Sequence, residues 1–222
     1  MDLGTLADLE FEAVIFDMDG TLIDSTPAVI RSWAAWASEH DLSADQLAGF
    51  HGVPAAGIVR RLLPQERWAA ALERINDLEL NDVGDIDVLP GAAEALAVLP
   101  SGQSAIATSC TRPLAEARIA AARLRPPAVL VTVDDVRRGK PAPDPFLEAA
   151  RRLGAHPTRC LVVEDAPMGL AAARAAGCAT LAVSTTTAPD LLEADAVVVD
   201  LSAVSWRISA AGVAVRPGLS AN

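Results

Sequence analysis

The chain of 222 residues is poor in cysteine, with only Cys110, Cys160 and Cys178. The count is odd, the spacings are wide and no C-x-x-C occurs. That excludes a disulfide framework and a cysteine-built zinc site, and leaves small core residues as the expected role. No apolar run reaches the length of a membrane span, so no membrane partner is expected. The first residues, MDLGTLADLE, are acidic and lack the basic start and apolar centre of a secretory leader, which makes a cytoplasmic location the expectation. Positive charge is scarce as well. The formal net charge is −11, and no basic block is interleaved with aromatics, so nucleic acid is not an expected partner. Scarcest of all is lysine. Of 18 basic residues, one is a lysine, Lys140. A chain that uses arginine everywhere else and keeps one lysine raises the question of what that lysine does.

What is present is an alternation. Short β-rich runs occur at 13–16, 104–108, 128–132, 160–164, 179–183 and 196–199. They are continuously apolar, as parallel strands covered on both faces are. Between them lie alanine-rich helical stretches at 90–99, 112–124, 144–154 and 168–177, with Gly154 and Gly177 where helices end. The pattern predicts an α/β fold with a doubly wound, mostly parallel Rossmann-like sheet. Residues 25–87 break the rhythm. They hold amphipathic helical patterns and Trp33, Trp36 and Trp68, but no convincing strand. This segment reads as a helical cap inserted after the first strand. The division is then a core of 1–24 and 88–222 and a cap of 25–87, with LIDST and NDVGDID as the hinges. Near the other end, 205–215 reads as two short strands around a turn, an edge hairpin.

In a doubly wound sheet, sites form at the carboxyl ends of the strands. Asp17 and Asp19 follow the first strand, Thr108 and Ser109 the second, and Glu164 and Asp165 the fourth, while Lys140 stands in GKPAPDPF just before a helix. Residues i and i+2 of an extended segment share a side, so Asp17 and Asp19 are expected to face one site. Close carboxylates repel unless one is protonated or a cation lies between them. With Asp165 and Glu164 they form an all-oxygen set suited to Mg²⁺. Thr108 and Ser109 precede a helix N-terminus, where N–H groups attract anions. Each feature has a plainer reading: Asp-Gly is a turn signal, Thr and Ser cap helices, and most lysines are solvated. Four such features at four strand ends and loops favour the site. Together they supply a nucleophilic carboxylate, a second carboxylate for proton transfer, a cation site and an anion cradle, which is equipment for phosphoryl transfer.

These motifs, in this order, resemble the haloacid dehalogenase superfamily in its phosphatase branch. DMDGT at 17–21 resembles the D-x-D-G-T motif, Thr108 the Ser/Thr motif, GKPAPDPF the lysine motif and VVEDAPMG at 162–169 the acidic motif. The inserted helices and the His51-Gly52 pair resemble the cap of the subgroup holding beta-phosphoglucomutase and the glycerol, polyol and deoxysugar phosphate phosphatases. The resemblance implies that Asp17 attacks phosphorus and that Asp19 protonates the leaving alcohol. Mg²⁺ would be held by Asp17, the Asp19 backbone carbonyl and Asp165, with Glu164 assisting. Thr108, Ser109 and Lys140 would neutralise phosphoryl oxygens, Gly20 would let the backbone turn away, and His51 and Arg60 would face the leaving group. The implied partner is a small phosphate ester, and the chain a monomer or weak homodimer. A mutase is the first alternative. It is disfavoured because Pro54, Ala55 and Ala56 stand where an arginine for a second phosphate is expected. A receiver-like signalling domain, which lacks such an insertion, is the second.

Overall fold

The structure, a computed structural model, describes residues 3–47 and 53–218. After β1 (Ala13–Phe16) the chain leaves the sheet through β2 (Ile23–Asp24). Three helices follow, α1 (Thr26–Glu39), α2 (Ala55–Leu62) and α3 (Trp68–Asn81). The chain returns on β3 (Asp87–Val88), which pairs antiparallel with β2. Strands and helices then alternate: α4 (Ala92–Val98), β4 (Ser104–Ala107), α5 (Arg112–Ala121), β5 (Val129–Val131), α6 (Asp144–Leu153), β6 (Cys160–Glu164), α7 (Pro167–Ala175), β7 (Ala179–Val183) and β8 (Ala196–Val198). A hairpin of β9 (Val204–Ser209) and β10 (Gly212–Pro217) ends the described chain.

The six expected strands all form, and they make one parallel sheet in the order β5-β4-β1-β6-β7-β8. The chain winds outward from β1 to β5, then crosses back and winds the other way from β6 to β8. The reversal lies between β1 and β6, and a crevice opens there at the carboxyl ends. The continuous apolar runs have a direct cause. Val14, Phe16, Leu161 and Val163 enter one buried cluster, while Ala13, Ile15, Cys160 and Val162 enter another on the opposite face. Alternate residues of a strand point to opposite faces, so strands buried on both faces read as largely continuous apolar runs. On the second face Ala149, Ala150, Ala172 and Ala173 let α6 and α7 lie close to the strands. α6 ends as expected at Gly154, in the left-handed conformation with φ +70°.

The hairpin departs from expectation. Its strands form a separate two-stranded sheet, bridged to the chain at Phe11, and the hairpin covers a face of the main sheet rather than extending its edge. Val204, Val213 and Val215 join the cluster holding Val14 and Phe16, and Trp206 packs edge-on to Phe16 at 5.8 Å. The hairpin is thereby a lid on the core. The hinge segments also form a structure the sequence pattern did not show, the two-residue ribbon of β2 and β3.

Helices α1 to α3 have a core of their own. Trp36, Val59, Leu63, Ala71 and Ile75 are buried together, with Trp33 and Trp68 packed against them. Trp36 is fully buried, meets Trp33 edge-on at 5.2 Å, and donates its indole N–H to the Ala71 carbonyl at 2.9 Å. A tryptophan is seldom buried so fully unless its N–H finds a partner. Trp36→Ala is therefore expected to cost about 3–5 kcal/mol, read as a lowered urea midpoint by far-UV circular dichroism. An unchanged midpoint would show that this small core contributes nothing to the folded state.

Candidate active site

The sheet ladder continues one residue past the strands that bear the site. The Asp17 N–H donates to the Val163 carbonyl at 2.9 Å, and the Thr108 N–H to the Val131 carbonyl at 2.9 Å. Asp17, Thr108 and Glu164 are therefore fixed by backbone pairing. Lys140 reaches the same point from the loop before α6. Its ammonium donates to Asp17 Oδ1 and, at 2.8 Å, to Glu164 Oε1, with the Phe146 ring 5.1 Å away. The only lysine of the chain is buried at 4 % exposure, so the solvated-surface reading fails. Burial alone would push its pKa down, but Asp17 and Glu164 outweigh that and hold it above the usual lysine range. Burial pushes the Asp17 carboxyl up to about 7, with Lys140 opposing and Glu164 adding to the rise.

Glu164 is committed to its position. Its Oε2 accepts the N–H groups of Asp165 and Ala166 at 2.8 and 2.7 Å, at the entry to α7. Gly169 faces that carboxylate so closely that a Cβ would overlap Oε1. Asp165 accepts from Thr21 Oγ1 at 3.4 Å and from Thr186 Oγ1, and burial, then Glu164 and Asp17, raise its pKa. Gly20, at φ +84°, lies against Asp165 Oδ2 and the Thr186 methyl, where no side chain fits.

Asp19 goes elsewhere. Its carboxylate accepts from Ser25 Oγ at 2.6 Å, Arg118 Nη1 at 2.9 Å and Cys110 Sγ at 3.0 Å. The two aspartates line one cavity, as expected of a shared site, but with different partners. The side chains that approach as possible metal ligands, with oxygens within 4.8 Å of one another, are Asp17, Glu164 and Asp165. Any share of Asp19 in a cation site falls to its backbone carbonyl. These three buried carboxylates face one ammonium. The resulting excess of negative charge, on oxygen donors alone, fits a hard divalent cation such as Mg²⁺.

The cavity has a volume of about 780 Å³ and lies between the strand ends and helices α1 to α3. Its floor carries Asp17, Thr108, Ser109 and Lys140, and its roof carries Val29, Trp33, Ile58, Leu72, Asn76 and Glu79. Thr108 Oγ1 accepts the Cys110 N–H at 3.1 Å, while Ser109 Oγ is buried with no hydrogen-bond partner among the described residues. Arg60 is not brought to this cavity. Its guanidinium stacks over Trp68 at 5.5 Å and lines a neighbouring cleft with Arg137 and Arg138. His51 lies outside the described residues. All three cysteines are core residues as expected, and Cys110 also lines the cavity. Sequence reasoning also missed Arg118, Glu79, Gly169 and Thr186. Two carried a signal: Gly169 closes the VVEDAPMG run, and Thr186, in the STTT run after β7, also follows a strand.

The family model described as haloacid dehalogenase-like hydrolase matches residues 11–177. Hexitol phosphatase A of Escherichia coli is 40% identical over 198 residues, covering 86% of this chain and 92% of that enzyme. Glycerol-1-phosphate phosphohydrolase 2 of Saccharomyces cerevisiae is 32% identical over 207 residues, covering 83% and 79%. Among solved structures, a hydrolase from Pseudomonas syringae superposes with a TM-score of 0.77 at 29% identity, covering 86% and 94%.

The Asp17 pKa sets a pH dependence. Its carboxyl stands at about 7 in the folded chain against an ordinary value of 3.8. Between those values the folded chain keeps a proton that the unfolded chain has lost. In the absence of a divalent cation, stability is therefore expected to fall as pH rises from about 4 to about 7. A cation that binds the ionised carboxylates competes with that proton. The rise in melting temperature on adding Mg²⁺ is thus expected to be larger at pH 8 than at pH 5, by differential scanning fluorimetry. An equal rise at both pH values would count against a cation site on these residues.

Proposed function

The chain belongs to the haloacid dehalogenase-like hydrolase family and is a phosphoric monoester hydrolase, and from that premise we propose that it hydrolyses small phosphorylated sugars or polyols, with Mg²⁺, through an aspartyl-phosphate intermediate. One observation carries this reading: Asp17 lies buried at the reversal of the sheet, against Lys140 and at the floor of a cavity large enough for a sugar phosphate. The phosphatase relatives named for hexitol and glycerol 1-phosphate support the substrate class.

In this mechanism an Asp17 oxygen attacks phosphorus and the bond to the alcohol breaks. Asp19 gives its proton to the departing alcohol oxygen, then takes one from the water that attacks the aspartyl-phosphate. Lys140, the Thr108 hydroxyl and Ser109 stabilise the charge on the phosphoryl oxygens. Asp17 and Asp165, with Glu164 and the Asp19 carbonyl, would hold Mg²⁺, which when bound adds positive charge beside the phosphoryl group. We assign residues 25–87 as a cap domain that closes over the core, 1–24 with 88–222, and excludes water. The compartment is the cytoplasm on this reading, in keeping with three unpaired cysteines.

Hydrolysis is favoured over a mutase reaction by the roof of the cavity. A sugar bisphosphate needs a second anion site. Among the described residues, the helices α1 to α3 present Asn76 and Glu79 there and no cation.

A panel of glycerol, hexitol and hexose phosphates and β-glucose 1-phosphate tests the assignment. Phosphate release from the polyol or hexose esters is expected. Isomerisation of β-glucose 1-phosphate without release would overturn it. Asp17→Asn is expected to abolish turnover, and Lys140→Ala to lower kcat by about 10²-fold. Substantial turnover by Asp17→Asn would remove the nucleophile assignment.

A further inference from the structure

Arg118 belongs to none of the four motifs, yet its charged side chain is almost wholly buried beside the cavity. It is 2 % exposed, on α5 of the sheet-bearing part of the chain. Its two terminal nitrogens are divided between two carboxylates. Nη1 donates to Asp19 Oδ1 at 2.9 Å, and Nη2 donates to Glu79 Oε1 at 3.0 Å. Glu79 is itself 7 % exposed and lies on α3, among the inserted helices. The guanidinium is planar and rigid, so seating one carboxylate fixes where the other is held. α3 and α5 pack directly on each other at this point.

Stability does not account for such an arrangement. Charges withdrawn from water in this way contribute little net stability compared with apolar side chains of the same size. The other contacts of Asp19 point the same way. Ser25, which donates to Oδ1 at 2.6 Å, is the residue that precedes α1, and Cys110 donates to Oδ2 at 3.0 Å. Two of the three groups that orient Asp19 are thus set by the inserted helices: Ser25 at their root, and Arg118 through Glu79. The side chains hydrogen-bonded to Arg118 are Asp19, Cys110 and Glu79, all away from the Asp17, Lys140 and Glu164 cluster.

We propose that Arg118 is a positioning residue that makes the orientation of Asp19 depend on the seating of the inserted helices, with Glu79 as the contact that reports the seating. The inference rests on the acid/base role assigned to Asp19 above. The step concerned is departure of the alcohol. As the Asp17 oxygen bonds to phosphorus, the ester P–O bond breaks, its electron pair stays on the ester oxygen, and the Asp19 proton moves to that oxygen. With the helices seated, Glu79 holds Arg118 and Arg118 holds Asp19 toward the cavity. With them lifted, Arg118 loses Glu79 and the carboxylate loses a fixed direction, so proton delivery waits for closure.

The test uses two esters that differ in their need for a proton. Nitrophenolate leaves p-nitrophenyl phosphate without one, whereas the alkoxide of glycerol 1-phosphate does not. In single turnover, which isolates departure of the alcohol from the later attack of water, Arg118→Met and Glu79→Gln are expected to slow alcohol release from glycerol 1-phosphate by about 10- to 100-fold, with a loss on p-nitrophenyl phosphate smaller by at least about ten-fold. Arg118→Lys is expected to recover part of the difference. Should Arg118→Met fail to fold, the double variant Glu79→Leu with Arg118→Met, which removes the buried Glu79 charge together with its partner, carries the same comparison. Equal losses on the two esters, or no loss on glycerol 1-phosphate, overturn the inference while leaving the phosphatase reading intact. A wild type that releases phosphate from neither ester overturns that reading, and this inference with it.

Discussion

One buried ammonium between two carboxylates organises the crevice. Asp17 and Glu164 follow paired positions on neighbouring parallel strands, Phe16 being opposite Val163. Strands lie about 4.8 Å apart, so two acidic side chains at their ends are held close in a region that excludes water. Without a cation they could not both ionise. Lys140 satisfies both. The remaining geometry follows from this constraint. Glu164 is tied to the N–H groups at the start of α7, Gly169 leaves the space that its carboxylate fills, and Gly20 leaves the space for Asp165. The glycines matter less as flexible points than as absences of matter beside charged oxygens.

The cavity divides into two chemical regions. Its floor is polar and belongs to the sheet. Most of its roof is apolar and comes from helices with a separate core built on Trp36 and Ile75. The floor can stay constant while the roof is redrawn, because the two draw on different residues and different packing. That separation is a physical reason for relatives of one fold to bear names for different phosphate esters, hexitol in one and glycerol 1-phosphate in another. The polar exceptions in the roof are few, and Glu79 turns its charge toward Arg118.

The sheet was legible because burial on both faces writes itself as uninterrupted apolar runs, and all six strands were found by that signal. The carboxylates and the lysine were legible because strand ends in a doubly wound sheet converge. The three tryptophans also marked the inserted helices correctly as a packed unit. What escaped was tertiary in origin. Arg118 is one of three arginines along a helical stretch that read as ordinary, and nothing local shows that its face meets α3. The two-residue strands β2 and β3 are too short to carry a period. Arg60 was drawn to the substrate by its place in the insertion, yet stacking on Trp68 takes it to another cleft. The hairpin was found, but its role was mistaken, since alternation in a strand does not say which surface its apolar side will cover.

That hairpin has a consequence for the order in which the molecule comes into being. Phe11, two residues ahead of β1, exchanges backbone hydrogen bonds with Val213, about two hundred positions later. Until β10 exists, the face of the sheet formed by Val14 and Phe16 lacks part of its cover. As the chain grows from the ribosome, the strand that precedes the first aspartate emerges well before the hairpin that completes its cover. Its core stays partly open until β10 emerges and covers it.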